Sequence, residues 1–192
     1  MKTEGTFTGE THTLRIAGLT RQLPRVRIKP NLEIASFVML GDTELVENIA
    51  MALYEHPRYP RYRIDVLVCP EAKAIPLTHV LAALTEVNYV VVRKSVKSYM
   101  HNPVVETVKT ITTEGEQTLV IDGPDAEILK GRNVCIVDDV VSTGGSVKAL
   151  ASLLEQVGCR VISTVTALLE DGGYEDEELV YLERLPVFPV RE

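Results

Sequence analysis

No apolar run in this chain approaches the ~18 residues a membrane-crossing helix needs, which argues against a membrane class. There is no internal repeat and no low-complexity tract. The first residues, MKTEGTFTGETH, have no apolar core behind a basic start, so no secretory signal is expected. Positive charge is in deficit: 20 Lys and Arg stand against 27 Asp and Glu, a net charge of −7. General nucleic-acid binding needs a basic surface and is not expected. Cysteine is scarce, with only Cys69, Cys135 and Cys159, odd in number and far apart. Two lie in apolar strand-like runs, so all three read as reduced residues of a cytoplasmic protein. No CxxC or HxxxH pair suggests zinc, and no metal ligand is named. What is present is ordinary for a globular chain: 45% hydrophobic, 24% charged and 5% aromatic residues over 192 positions. That length favours one structural domain.

Residues 1–13 are polar and read as frayed. Residues 14–30 carry short alternations, Leu14 and Ile16 then Val26 and Ile28, punctuated by Gly18, Pro24 and Pro30. They suggest short strands or an irregular cap, so residues 1–40 are expected to form an N-terminal cap or hood and 41–192 the core. Asp42 or Thr43 can cap a helix whose first turn holds Glu44 and Glu47, where the dipole favours acids. That helix should stop before Pro57. IDVLVC (64–69) reads as a buried strand, and a second helix follows from Pro76 with Leu77, Val80, Leu81 and Leu84 inward. YVVVRK (89–94), NVCIVDD (133–139) and VISTVTALL (161–169) are further buried strands. Residues 105–112 and 117–122 suggest a hairpin. A helix over 145–157 turns Val147, Leu150, Ala151, Leu154 and Val157 inward and ends at Gly158. EDGGYEDEE reads as a solvated acidic loop, and LVYLERLPVF closes the chain. Apolar strands alternating with amphipathic helices predict an α/β fold with a central, mainly parallel sheet flanked by helices. In such sheets ligands bind beyond the carboxyl ends of the strands.

Three strand ends carry unusual chemistry. In VCIVDDVVSTGGSVKAL (134–150) an apolar strand runs into Asp138 and Asp139. The loop Ser142-Thr143-Gly144-Gly145-Ser146 then enters a helix. Glycines let the backbone approach a ligand, and free N–H groups at a helix start attract phosphate. An acidic pair beside an anion site makes sense for a ligand with a phosphate at one end and neutral hydroxyls nearby, as in ribose 5-phosphate. The loop is neither a Walker GxxxxGK[ST] nor a GxGxxG turn.

VCIVDDVVSTGGS resembles the phosphoribosyl-diphosphate (PRPP) signature of the type I phosphoribosyltransferases. The resemblance implies that family's fold, with a small hood built from the N- and C-terminal segments. It implies that Asp138 and Asp139, the catalytic-site acids, bind the ribose hydroxyls. Ser142, Thr143, Gly144, Gly145 and Ser146 would hold the 5-phosphate. CPEAKAIP (69–76) resembles the PEARGFPL-type segment of adenine phosphoribosyltransferases, where the turn cradles diphosphate. That implies diphosphate contacts from Glu71, Ala72 and Lys73, with Lys73 in place of the usual Arg and Ala74 in place of Gly. A lysine offers a point charge rather than a bidentate fork. VVVRKSVKSYM (90–100) resembles the VPVRK segment and the mobile loop after it, which adds Arg93, Lys94 and Lys97 to the diphosphate set.

One departure stands out. The acid–aromatic–glycine step of the adenine enzymes is represented here by Thr113-Glu114-Gly115-Glu116, without the aromatic. The resemblance implies transfer of phosphoribose from PRPP to a purine base in purine salvage, with adenine favoured and Mg²⁺ as cofactor. Xanthine, hypoxanthine or guanine enzymes and a non-catalytic PRPP-sensing regulator are the alternatives. Such regulators add a DNA-binding module, and no helix-turn-helix pattern precedes residue 40. The family precedent is a homodimer, with Arg93 a candidate for the contact between subunits. For the base, Leu169 and Glu170 bound the site. Phe37 is a candidate stacking surface, with core burial the favoured reading.

Overall fold

The computed structural model describes residues 5–109, 116–174 and 176–190. Five parallel strands form the main sheet: β4 (Val66–Pro70), β5 (Asn88–Val92), β8 (Asn133–Val141), β9 (Arg160–Glu170) and β10 (Leu179–Leu185). Their order is β10-β9-β8-β4-β5. The central strand β8 has Val134, Cys135, Ile136 and Val137 all buried, as a parallel strand covered on both faces requires. The expected fold class is the one observed.

Helices α1 (Thr43–Glu55) and α2 (Ile75–Thr85) cover one face. Helices α3 (Gly123–Leu129) and α4 (Gly145–Val157) cover the other, with the antiparallel hairpin β6 (Val104–Lys109) and β7 (Glu116–Ile121). Asp42 caps α1 by accepting the Leu45 N–H at 3.1 Å, and the helix ends at His56 before Pro57. Gly158, at φ +85°, closes α4 with its N–H on Glu155 O, a conformation that glycine adopts without steric penalty. Leu77 and Leu81 of α2 and Val147, Leu150, Leu154 and Val157 of α4 are buried, on the faces read from the sequence.

The N-terminal region is more regular than its composition suggests. β1 (Thr6–Ile16) and β2 (Leu19–Lys29) form a long hairpin, continued by β3 (Leu32–Ala35) and by β11 (Val187–Pro189) from the far end of the chain. Residues 6–13, expected to fray, are therefore strand. Thr11, Thr13 and Glu10 face solvent, so no apolar alternation announces it. Instead the backbone ladder to β2 holds it. This small sheet shares one core with the parallel sheet: Leu14, Ile16, Leu23, Ala35 and Phe37 pack in a cluster with Leu45, Ile49 and Leu53 of α1. Arg21 of β2 adds an ion pair to the capping Asp42 at 2.7 Å. α3 was not foreseen, because a seven-residue helix has too few turns to develop a periodic pattern. Among the described residues no helix is long and apolar enough to cross a membrane.

Candidate active site

At the carboxyl ends of β4, β5 and β8 lies a cleft of about 220 Å³. Glu71, Ala72, Lys73, Lys94, Asp138, Asp139 and Ser146 line it, and Leu119, Val140 and Leu150 supply its apolar wall. Three loops that the sequence read separately therefore meet at one place. A smaller hollow of about 50 Å³ adjoins it, lined by Asp138 and residues 142–147. This hollow sits on the first turn of α4, whose cap residue Gly144 provides no side-chain hydrogen bond. Helix N-termini leave backbone N–H groups without intrahelical partners, and the macrodipole adds partial positive charge. The hollow is thus a small concavity at a helix N-terminus, beside two carboxylates.

The carboxylates differ in surroundings. Asp139 is 7% exposed, and its Oδ2 is buried without a hydrogen-bond partner among the described residues. Lys73 Nζ stands 3.7 Å from that oxygen. Asp138 is half-buried and accepts the Asp139 N–H at 2.9 Å. Burial, and next the adjacent Asp139 charge, push the Asp138 carboxyl up to about 7. Asp139 Oδ2 is thus a buried oxygen without a hydrogen-bond donor among the described residues, and a ligand with hydroxyl groups or a cation could supply its partner.

Glu71 plays a different part from the lysines. Its carboxylate accepts the Lys94 N–H at 2.7 Å and the Arg93 Nε–H at 2.6 Å, so it ties the end of β4 to the end of β5. The Lys94 N–H, followed by the Arg93 guanidinium, holds this carboxyl below the usual range. The peptide bond joining Glu71 to Ala72 is cis.

Not every residue singled out in the sequence reaches the cleft. Arg93 turns to Glu71 and Tyr99 and lines a separate hollow with Tyr89 and Asp122. Lys97 donates to Ser95 Oγ at 2.6 Å, outside the cleft lining. Phe37 is 3% exposed inside the core under the small sheet, so its ring offers no stacking surface in this structure. Leu169 is also 3% exposed and faces α4 in the opposite core. Phe37 thus takes the core position favoured from the sequence, and Leu169 departs from the base site because an apolar side chain at a layer interface gains more from packing than from lining a wet cleft. Glu114 lies outside the described residues. In the other direction, the sequence reading missed Tyr174. It packs directly on Gly144 of the 142–147 hollow, yet its acidic neighbours made the segment read as solvent-facing.

A family model for the phosphoribosyl transferase domain matches residues 40–189. "HGPRTase-like protein 3" of Haloterrigena turkmenica is 38% identical over 127 residues, covering 66% of this chain and 63% of that one. The chain thus spans under two thirds of that relative's length. The hypoxanthine/guanine phosphoribosyltransferase of Methanothermococcus okinawensis is 33% identical over 144 residues, covering 75% and 73%. Among solved structures, the adenine phosphoribosyltransferase of Rhodothermus marinus superposes with a TM-score of 0.64 at 22% identity, covering 93% of this chain and 96% of that one, a likeness of fold. The family match takes in all three strand ends that build the cleft, and this chain belongs to the phosphoribosyl transferase domain family.

Proposed function

We propose that the protein transfers the 5-phosphoribosyl group of PRPP to a nitrogen of a purine base, releasing diphosphate. The observation that carries this reading is the adjacency of Asp138 and Asp139 to the hollow formed by residues 142–147, in a cleft that also presents Lys73 and Lys94. Anion site, diol-binding acids and cationic wall follow one another in the order of 5-phosphate, ribose hydroxyls and diphosphate along PRPP.

In this reading the bond from C1 to the diphosphate oxygen breaks as the purine nitrogen bonds to C1, through an oxocarbenium-like state like those of other glycosyl transfers. The electron pair of the broken bond leaves with diphosphate, and the proton lost by the purine nitrogen passes to that diphosphate or to solvent. Residues 142–146 hold the 5-phosphate and so fix the sugar. Asp138 and Asp139 accept hydrogen bonds from the ribose hydroxyls, and carboxylate charge beside the sugar favours its cationic transition state. Lys73 and Lys94 stabilise charge on the leaving diphosphate. These are orientation and electrostatic contributions from preformed groups.

The residues present fit a Mg²⁺ ion bound together with PRPP. Asp139 Oδ2 is an orphaned buried carboxylate oxygen. No group of three His, Cys, Asp or Glu suited to a metal occurs among the described residues. The ion would therefore be held by Asp139 with substrate oxygens and water completing its shell, as magnesium sites commonly are. When bound it would neutralise diphosphate charge.

Two observations bear on the acceptor. CPEAKAIP and VVVRK support adenine, by their likeness to the adenine enzymes. Relatives at 33% identity and above support a 6-oxopurine, hypoxanthine or guanine. The deciding experiment supplies PRPP, Mg²⁺ and one purine at a time and measures diphosphate release. Turnover with a purine supports the reading, and the productive base identifies the acceptor. PRPP binding without turnover of any purine overturns the enzymatic reading in favour of a PRPP sensor.

A further inference from the structure

Parallel neighbours β9 and β10 are joined without a helix, by residues 171–178. This connection does not run free over the surface. The Tyr174 N–H donates to Ser142 O at 2.7 Å, joining it to the loop of the anion hollow. The Tyr174 side chain packs against Gly144: a Cβ placed on that glycine would fall 2.3 Å from Cδ2, 2.5 Å from Cγ and 2.8 Å from Cβ of the tyrosine. Gly144 also sits at φ +75°, so this position excludes a side chain twice over, by backbone conformation and by the ring. Gly173 is equally confined, since a Cβ there would come 2.3 Å from Ser142 O. Lys148, in the first turn of α4, holds its Nζ 5.3 Å from the Tyr174 ring centroid, within cation–π range. The phenol hydroxyl donates to Asp176, whose other carboxylate oxygen accepts the Glu178 N–H at 2.8 Å.

We propose that Tyr174 is a positioning residue for the phosphate loop, clasping residues 142–144 in the shape that turns their N–H groups toward a phosphate. This rests on the proposed function, and it adds a residue from a different connection to the recognition of PRPP. The loop itself has two glycines in a row and exposed Thr143 and Ser146 on one side, so little else in its own sequence restrains it. Tyr174 supplies that restraint from above: one backbone hydrogen bond, one aromatic face and one lysine that belongs to the helix whose N-terminus forms the hollow. An anion site works by preorganised donors, and loosening them costs affinity without removing any group that touches the ligand.

The test compares Tyr174→Ala and Tyr174→Phe in the full chain. Steady-state kinetics give KM for PRPP and for the base. Amide hydrogen exchange of residues 143–146, without ligand, gives the order of the loop. The alanine variant should raise the PRPP KM by about tenfold or more, with the base KM changed less than about twofold. Its exchange at residues 143–146 should quicken by a similar factor while the β8 amides keep wild-type rates. The phenylalanine variant keeps the ring and the backbone bond and should match wild type in both. If the alanine variant does not fold, Tyr174→Leu replaces it, since a branched side chain keeps apolar bulk but has no ring to pack on Gly144. Wild-type exchange in the alanine or leucine variant overturns the clasp, as does an unchanged PRPP KM. A wild-type protein that does not bind PRPP overturns the proposed function instead, and the exchange measurement still decides the clasp.

Discussion

Lys73 Nζ lies 3.7 Å from Asp139 Oδ2, a buried carboxylate oxygen without a hydrogen-bond partner among the described residues. The lysine reaches across the cleft from the end of β4 to the end of β8 and neutralises an acid that otherwise stands alone. In the proposed reaction it exchanges that partner for diphosphate. Lys73→Ala should therefore weaken PRPP use by about 10- to 100-fold, the equivalent of one charge-assisted hydrogen bond of ~1.5–3 kcal/mol. Lys73→Arg should retain most of the affinity. A PRPP KM in the alanine variant within twofold of wild type would remove Lys73 from the site.

Asp138 makes the opposite trade between stability and function. Its folded carboxyl titrates at about 7, above the ordinary 3.8 of an aspartate, so the native state holds the proton more tightly than the unfolded chain does. Stability consequently falls as pH climbs between those two values. Asp138→Asn removes the penalty. Chemical denaturation of the metal-free variant should give no difference from wild type below about pH 4 and a gain on the order of 1–3 kcal/mol at pH 8. Turnover should drop by about two orders of magnitude or more. An unchanged or lower stability at pH 8 would mean that the carboxyl is not strained.

Gly145 separates the demands of the fold from those of the ligand. A Cβ there would meet only Thr143 Oγ1, at 3.8 Å, whereas one on Gly144 would collide with Tyr174. Gly145→Ala should fold with stability within about 0.5 kcal/mol of wild type. If the backbone approaches a phosphate closely, the same variant should raise the PRPP KM by about tenfold or more. Gly144→Ala should lose stability as well. Equal PRPP kinetics in wild type and Gly145→Ala would contradict close approach at that position.

Asp42 caps α1 and pairs with Arg21 of β2, and neither lines the cleft. Asp42→Ala should cost ~1–2 kcal/mol of stability with kcat and both KM values unchanged. The Arg21 guanidinium, then the Leu45 N–H, hold the Asp42 carboxyl below its usual range. Its contribution is thus complete above the ordinary value near 4 and fades as pH falls through the lower folded value. The gap between wild type and variant should close in acid and stay open at neutral pH.

Metal removal should abolish turnover without disturbing the fold. The protein's own residues offer no closed metal cage among those described, so a chelator should leave the thermal midpoint unchanged. PRPP at 100 times its Kd should add about 2.7 kcal/mol when Mg²⁺ is present, and clearly less when it is absent. A midpoint that drops on chelation alone would reveal a resident structural ion.

The cleft was legible where chemistry and periodicity coincide. Four apolar residues before Asp138, glycines at 144 and 145, and the apolar stripe of α4 each point to one strand–loop–helix unit. The remainder was written in contacts rather than in patterns. β1 is mostly polar on both faces, and only its pairing with β2 reveals it as a strand. Leu169 looked placed to bound a base, but it packs in the core against α4. Tyr174 lay in EDGGYEDEE, where the surrounding acids dominate any window average, and its partner Gly144 is 30 positions away. Arg93 and Lys97 carry the expected charge, but neighbouring Glu71 and Ser95 direct them elsewhere.

β11 has a mechanical meaning. Because Val187–Pro189 zips onto β3, the four-stranded sheet over the core is anchored covalently at two points, the link from β3 into α1 and the link from β10 into β11. The small sheet is therefore held by chain connections on two sides as well as by the apolar core it shares with α1. Cutting the chain between Leu185 and Val187 would leave β11 held to β3 by its strand pairing alone and remove one of the two covalent ties.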